Sequence, residues 1–241
     1  LALGRVGRWV GGYAVVTVGC ALALVASASL LGPGGLLGPR TTITPALEVA
    51  SEDVYAPFYD GCDPLSEGSP ATLCVGGAED AEQSVVLVGD SHAVMWMSAL
   101  DAAARERGWR AELMALPSCP AADVVPLVEN RPRTVCGEWR EAVMTELTER
   151  PRDAVITAQV SVYGVSVGGQ SLRSEDAGPT FAEGLVRSWQ RMEETGTQVV
   201  SMAPTPRFRS DRVECVAENL RDLAACGEPT STALEWTQRP V

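Results

Sequence analysis

The longest apolar stretch lies near the start of the chain. Trp9 to Leu31 is 23 residues without a charge, rich in Val, Ala and Leu. At about 1.5 Å of rise per residue it would reach roughly 34 Å, enough to cross a hydrocarbon core. No face of the run is polar, which argues against a buried helix of a soluble domain. It predicts a transmembrane helix. A signal peptide is the alternative, with Ala26-Ser27-Ala28 as a possible cleavage site, although the run is long for such a segment. Arg5 and Arg8 precede it and Gly32-Pro33-Gly34-Gly35 ends it, so the positive-inside rule puts residues 1–8 in the cytoplasm and the bulk of the chain outside.

Residues 32–83 read as a linker followed by a polar, Pro-containing loop region, and the folded domain is expected over 84–241. There the pattern changes. Val85-Val86-Leu87-Val88 is a short, fully apolar run, as in a strand covered on both faces, and it ends at Gly89-Asp90-Ser91. A helix should run to about Arg107 and stop at Gly108, followed by a strand from Ala111 to Leu116. Trp139, Val143 and Leu147 recur every four residues and predict a helix; Asp153 to Thr157 reads as a strand. Phe181, Leu185, Trp189 and Met192 form another helical stripe ending near Gly196, and Gln198 to Met202 reads as the next strand. The aromatic residues of these stripes are expected in the core. Alternating strands and helices imply an α/β domain with a parallel sheet covered on both faces, whose ligands bind beyond the carboxyl ends of the strands. The turn Gly89–His92 falls there.

Charge narrows the partners. The net charge is -12, and every basic residue is Arg, which fits a GC-rich, actinobacteria-like genome. All 31 acidic residues lie beyond residue 39. Such a surface repels phosphate backbones and disfavours nucleic acid.

Seven cysteines refine the topology. Cys20 sits within the apolar run. The other six fall into neighbouring pairs, Cys62/Cys74, Cys119/Cys136 and Cys215/Cys226. Six cysteines allow 15 connectivities; neighbour pairing is the expectation adopted here. Each bridge would contribute about 3 kcal/mol in the chain-entropy model. Disulfides persist outside the reducing cytoplasm, in line with the orientation read from charge. One histidine and no Cys-x-x-Cys spacing make a metal site a poor reading.

Ser91 is the candidate nucleophile. A Ser at a strand-to-helix turn has an exposed hydroxyl at the positive end of a helix, where unused backbone N–H groups can hold an oxyanion. Gly89 permits a tight turn and close approach. The competing reading is that Ser91 only caps the helix. His92 directly follows Ser91, and a side chain at the next helical position usually points away from its neighbour, so it is poorly placed as the base.

The strand, Gly89-Asp90-Ser91-His92, Trp96, Leu100-Asp101, Arg105-Glu106-Arg107-Gly108-Trp109 and Ser118-Cys119-Pro120 together resemble one subgroup of the SGNH (GDSL-like) hydrolases. That subgroup is the SGNH domain fused to the C-terminal end of membrane acyltransferases of the acyltransferase-3 family, whose last membrane span the apolar helix resembles. The resemblance implies an SGNH/flavodoxin-like three-layer fold and Ser91 as nucleophile. It also implies Asp90 as the residue holding the turn and His92 as a motif residue near the site. It implies acyl transfer, of acetyl above all, from acyl-CoA through an upstream membrane domain to a hydroxyl of a cell-envelope glycan. No cofactor would be bound by the domain itself. A surface esterase and a catalytically inactive glycan-binding module are the alternatives. The chain departs from the superfamily in containing no Asp-x-x-His segment, the expected source of the base. With Leu1 against the apolar run and no closing pattern over Thr237–Val241, a fragment of a longer protein is expected. The superfamily's oxyanion Gly and Asn are not plain here; Ser118 and Gln159 stand where they would be expected, with ordinary loop residues as the alternative reading, and the Ser91 N–H is the third oxyanion candidate.

Overall fold

The computed structural model describes residues 42–44, 46–52, 62, 73–161, 163–173, 176–205 and 212–237. Trp9–Leu31 lies outside them; among the described residues no helix is long and apolar enough to cross a membrane. The described residues from 62 to 205 together with 230–237 form one compact unit, and those from 42 to 52 with 212–229 belong to another.

The first unit is a mixed α/β body on a five-stranded sheet, ordered β1-β3-β2-β6-β9. Its strands are β1 (Leu73–Gly77), β2 (Gln83–Gly89), β3 (Trp109–Ala115), β6 (Ala154–Ala158) and β9 (Gln198–Ser201). β2 pairs in parallel with both β3 and β6, and β6 with β9. Only the edge strand β1 is antiparallel, on β3. β1 falls inside the stretch expected to be linker and loops. Its sequence, Leu-Cys-Val-Gly-Gly, is too short and too glycine-rich to stand out, and it is held by pairing to β3 and by the Cys62–Cys74 disulfide.

Strand side chains alternate between the two faces, and the core divides accordingly. Leu87, Leu113 and Ala115 face helix α1 (Ser91–Arg107) through Ala93, Met97 and Ala104. Val86, Val88, Met114 and Val155 face the other way, onto Trp139, Val143 and Leu147 of α2 (Val135–Glu149) and Met192 of α3 (Ala177–Glu193). Helices therefore cover both faces. α1 ends where Gly108 takes a left-handed conformation (φ 70°) and its N–H closes the last turn onto Ala104 and Arg105. In α3 the buried line is Ala177, Phe181, Gly184, Ser188 and Met192, with Leu185 and Trp189 only partly covered. Gly184 is small for a reason: a Cβ there would lie 2.7 Å from Val124 Cγ1.

A second sheet, absent from the sequence reading, has the order β5-β4-β7-β8 and is antiparallel throughout. β4 (Val125–Val128) and β5 (Arg131–Pro132) follow the carboxyl end of β3; β7 (Val165–Val167) and β8 (Gln170–Leu172) follow that of β6. Both hairpins turn on two residues with positive φ, Glu129-Asn130 and Gly168-Gly169. A small core of Ala122, Val124, Val160, Tyr163, Val165 and Phe181 anchors this sheet on α3. The short helix α5 (Thr230–Thr237) also belongs to this unit.

In the other unit, a 3-10 turn (Leu47–Glu52), the helix α4 (Arg212–Glu218) and a second 3-10 turn (Leu223–Cys226) are described. The Cys215–Cys226 disulfide and an Arg212–Glu228 ion pair hold α4 to the segment that follows it. All three neighbour disulfides are formed, with Cα–Cα separations of 5.5, 5.1 and 5.8 Å along the chain. Such bridges belong to a domain that matures outside the cytoplasm.

Candidate active site

In the parallel part of the sheet the chain steps from β2 outward to β3 on one side and to β6 on the other. The order reverses at β2, and the crevice beyond its carboxyl end is the expected ligand position in a sheet of this kind. β2 carries Ser91 to that point. Its last residue, Gly89, runs so close to β6 that a Cβ would overlap the Ala158 carbonyl, which leaves glycine as the residue that fits. Leu116, just past β3, donates its N–H to the Gly89 carbonyl at 3.1 Å. The exits of β2, β3 and β6 are thus gathered around one turn.

Asp90, not Ser91, caps α1. It is fully buried, and its Oδ1 accepts the His92 N–H at 2.7 Å. Ser91 is the first helical residue and is exposed. The reading of Ser91 as a mere cap is therefore displaced: among the described residues its hydroxyl has no partner. The Asp90 side chain and carbonyl take the N–H groups of His92 and Ala93. The Ser91 N–H remains unused among the described residues.

Asp90 also joins distant segments. Its Oδ2 accepts the Val160 N–H at 3.0 Å and the Tyr163 hydroxyl at 2.6 Å, while Oδ1 lies 3.2 Å from Nδ1 of His92. Burial pushes the carboxyl up, but the hydrogen bonds from His92, Tyr163 and Val160 outweigh it and hold the group below its ordinary value. Asp90 is therefore a charged acceptor with each oxygen engaged twice. Tyr163 is held in its protonated form, first by burial and then by the adjacent Asp90 charge.

The other sequence candidates converge on the same end of the sheet. Ser118 follows Leu116 in a turn closed by the Cys119 N–H on the Leu116 carbonyl at 3.0 Å. It adopts a positive φ of 61°, and the Cys119–Cys136 disulfide ties the loop to α2. Gln159 sits between Ala158, which abuts Gly89, and Val160, which binds Asp90. It is 6% exposed and its buried Oε1 has no partner among the described residues. The ring of His92 does not point away along the helix; it folds back onto Asp90. Tyr163 and the Val160 N–H were not legible in the sequence, because they lie 73 and 70 residues from Asp90 and no motif links them. Among the described residues no cluster suited to a metal ion occurs.

Fold and turn together define an α/β domain that presents a serine at the switch point of a mostly parallel sheet. A family model describes the particular kind, the SGNH domain fused to AT3 domains, and it matches residues 61–240; the chain belongs to this family. The match also begins upstream of β1, consistent with that strand being part of the domain. No curated protein matches the chain. Among solved structures, the periplasmic domain of a lipopolysaccharide acetyltransferase from Salmonella ser. Paratyphi A aligns at 15% identity with a TM-score of 0.44. That alignment covers 59% of this chain and 52% of the Salmonella chain, so this chain spans about half of it.

Proposed function

We propose that this domain is the extracytoplasmic half of a membrane O-acyltransferase and that Ser91 carries the acyl group. In this reading Ser91 Oγ attacks the carbonyl carbon of an acyl donor, the donor leaves with a proton, and an ester forms on Ser91. A hydroxyl of a cell-envelope glycan then attacks that ester, the bond to Ser91 Oγ breaks, and the proton lost by the glycan hydroxyl is made up on Ser91 Oγ, which regenerates the free serine. The acyl group is acetyl, drawn from acetyl-CoA and delivered by the membrane AT3 domain to which domains of this family are fused. The Ser91 N–H, at the positive end of α1, faces the developing oxyanion, with Ser118 and Gln159 as neighbours on the adjoining strand exits. The helix of Trp9–Leu31 is the tether to the membrane.

The observation that carries the proposal is the state of Ser91. It is exposed, uncapped and next to an unused N–H, on a turn fixed by a buried, fully engaged Asp90. The test is Ser91→Ala in the full-length protein, with acetyl transfer to envelope glycan and acyl-Ser91 both followed by mass spectrometry. Transfer should fall by several orders of magnitude and the acyl adduct should vanish. Undiminished transfer would remove Ser91 from the mechanism. Release of free acetate in place of glycan ester would assign the domain to hydrolysis.

A further inference from the structure

The chain has one histidine, and its setting is unusual for the residue after a nucleophile. Successive helical residues are about 100° apart around the axis, so His92 should project from the flank of α1, away from Ser91. Instead Nδ1 lies 3.2 Å from Asp90 Oδ1, the same oxygen that takes the His92 N–H at 2.7 Å. The ring is therefore folded back onto the carboxylate of the N-cap residue, which joins the two residues that flank Ser91 in the chain.

Asp90 leaves little choice of tautomer. An ionised carboxylate only accepts, so the hydrogen in this contact must come from Nδ1. In the neutral ring Nε2 is then the acceptor. The carboxylate cannot turn to offer another arrangement, because Val160 N–H and Tyr163 O–H hold its second oxygen at 3.0 and 2.6 Å. The side chain is 25% exposed, and Nε2 has no protein partner among the described residues. A partly exposed acceptor without a protein donor among the described residues, on the residue next to Ser91, suits a ligand that brings a hydroxyl donor.

We propose that His92 belongs to the acceptor side of the reaction: its Nε2, set by Asp90, takes a hydrogen bond from the incoming sugar hydroxyl and turns that oxygen toward the acyl group on Ser91. This rests on the Ser91 reading above and adds a residue to it. His92 is not the base that activates Ser91, since no hydrogen bond joins the Ser91 hydroxyl to the ring and Nδ1 is committed to Asp90.

The two half-reactions separate these roles. In the full-length protein, acyl loading of Ser91 from acetyl-CoA is followed in single turnover, and discharge is followed with and without an added glycan acceptor. His92→Ala should leave loading within about twofold and slow discharge to the acceptor roughly ten- to a hundredfold. Discharge to water should be unaffected. His92→Gln keeps an acceptor near the position of Nε2 and should recover part of the loss; it also guards against misreading a folding defect. Equal losses in loading and discharge, or no loss in either, would overturn the proposal. Loading that persists in Ser91→Ala would instead overturn the parent reading, whatever the His92 variants do.

Discussion

Replacing Tyr163 by Phe deletes one oxygen from the structure. The ring stays in its small core against Phe181, with centroids 6.0 Å apart, so apolar contact is conserved. What is lost is the 2.6 Å hydrogen bond to Asp90 Oδ2. A bond to a charged acceptor contributes about 1.5–3 kcal/mol net. Oδ2 keeps the Val160 N–H at 3.0 Å and is not orphaned, which favours the middle of that range, about 2 kcal/mol. In a domain of this size such a loss lowers the melting temperature by about 4–8 °C. Thermal and urea unfolding of the two proteins at neutral pH measure it. The pH dependence is a sharper check. Asp90 titrates below its ordinary value of 3.8 when folded, so its stabilisation is complete above that value and is lost as pH falls through the folded pKa. Tyr163→Phe removes part of what lowers that pKa. The stability gap between the two proteins should therefore be full above about pH 5 and shrink on acidification below the ordinary carboxylate range. A cost under about 0.5 kcal/mol, or a gap that stays constant through the acid range, would refute the account of a charged Asp90 held by Tyr163.

Two further substitutions probe the framework. Gly89→Ala would drive a methyl into the Ala158 carbonyl, separating β2 from β6 where Ser91 is mounted. It should cost about 3 kcal/mol or more and abolish activity, read as loss of cooperative unfolding; a stable, active variant would contradict the close approach. In the middle of β3 Glu112 is buried between the Nε atoms of Arg110 and Arg152, each at 2.6 Å, while Arg152 also reaches Glu146 at 2.7 Å. Glu112→Ala leaves the buried Arg152 with only one of its two carboxylate partners and should cost about 3 kcal/mol by denaturant unfolding, with any Ser91 activity in the surviving folded fraction unchanged.

Much of this protein was legible in order along the chain. The apolar run Val85–Val88, the four-residue spacing of Trp139, Val143 and Leu147, and Gly108 as a stop are local signals, and the corresponding strand and helices form within a few residues of the expected bounds. The strand-to-helix turn at Ser91 also lies where the sequence put it, and the short loops between neighbouring cysteines matched the bridges that form. What escaped depends on contacts between remote segments. β1 is a strand because β3 offers it an edge and Cys62 pins it. The second sheet exists because the segments that leave β3 and β6, on either side of β2, meet and pair through β4 and β7, although Gly168-Gly169 was a hairpin signal in plain view. Asp90 could be seen beside Ser91, but its hold on Tyr163 and Val160 required the fold. Periodicity reports what each segment buries; only the packed sheet decides which distant donors meet one carboxylate, because that meeting is set by strand order and not by sequence spacing.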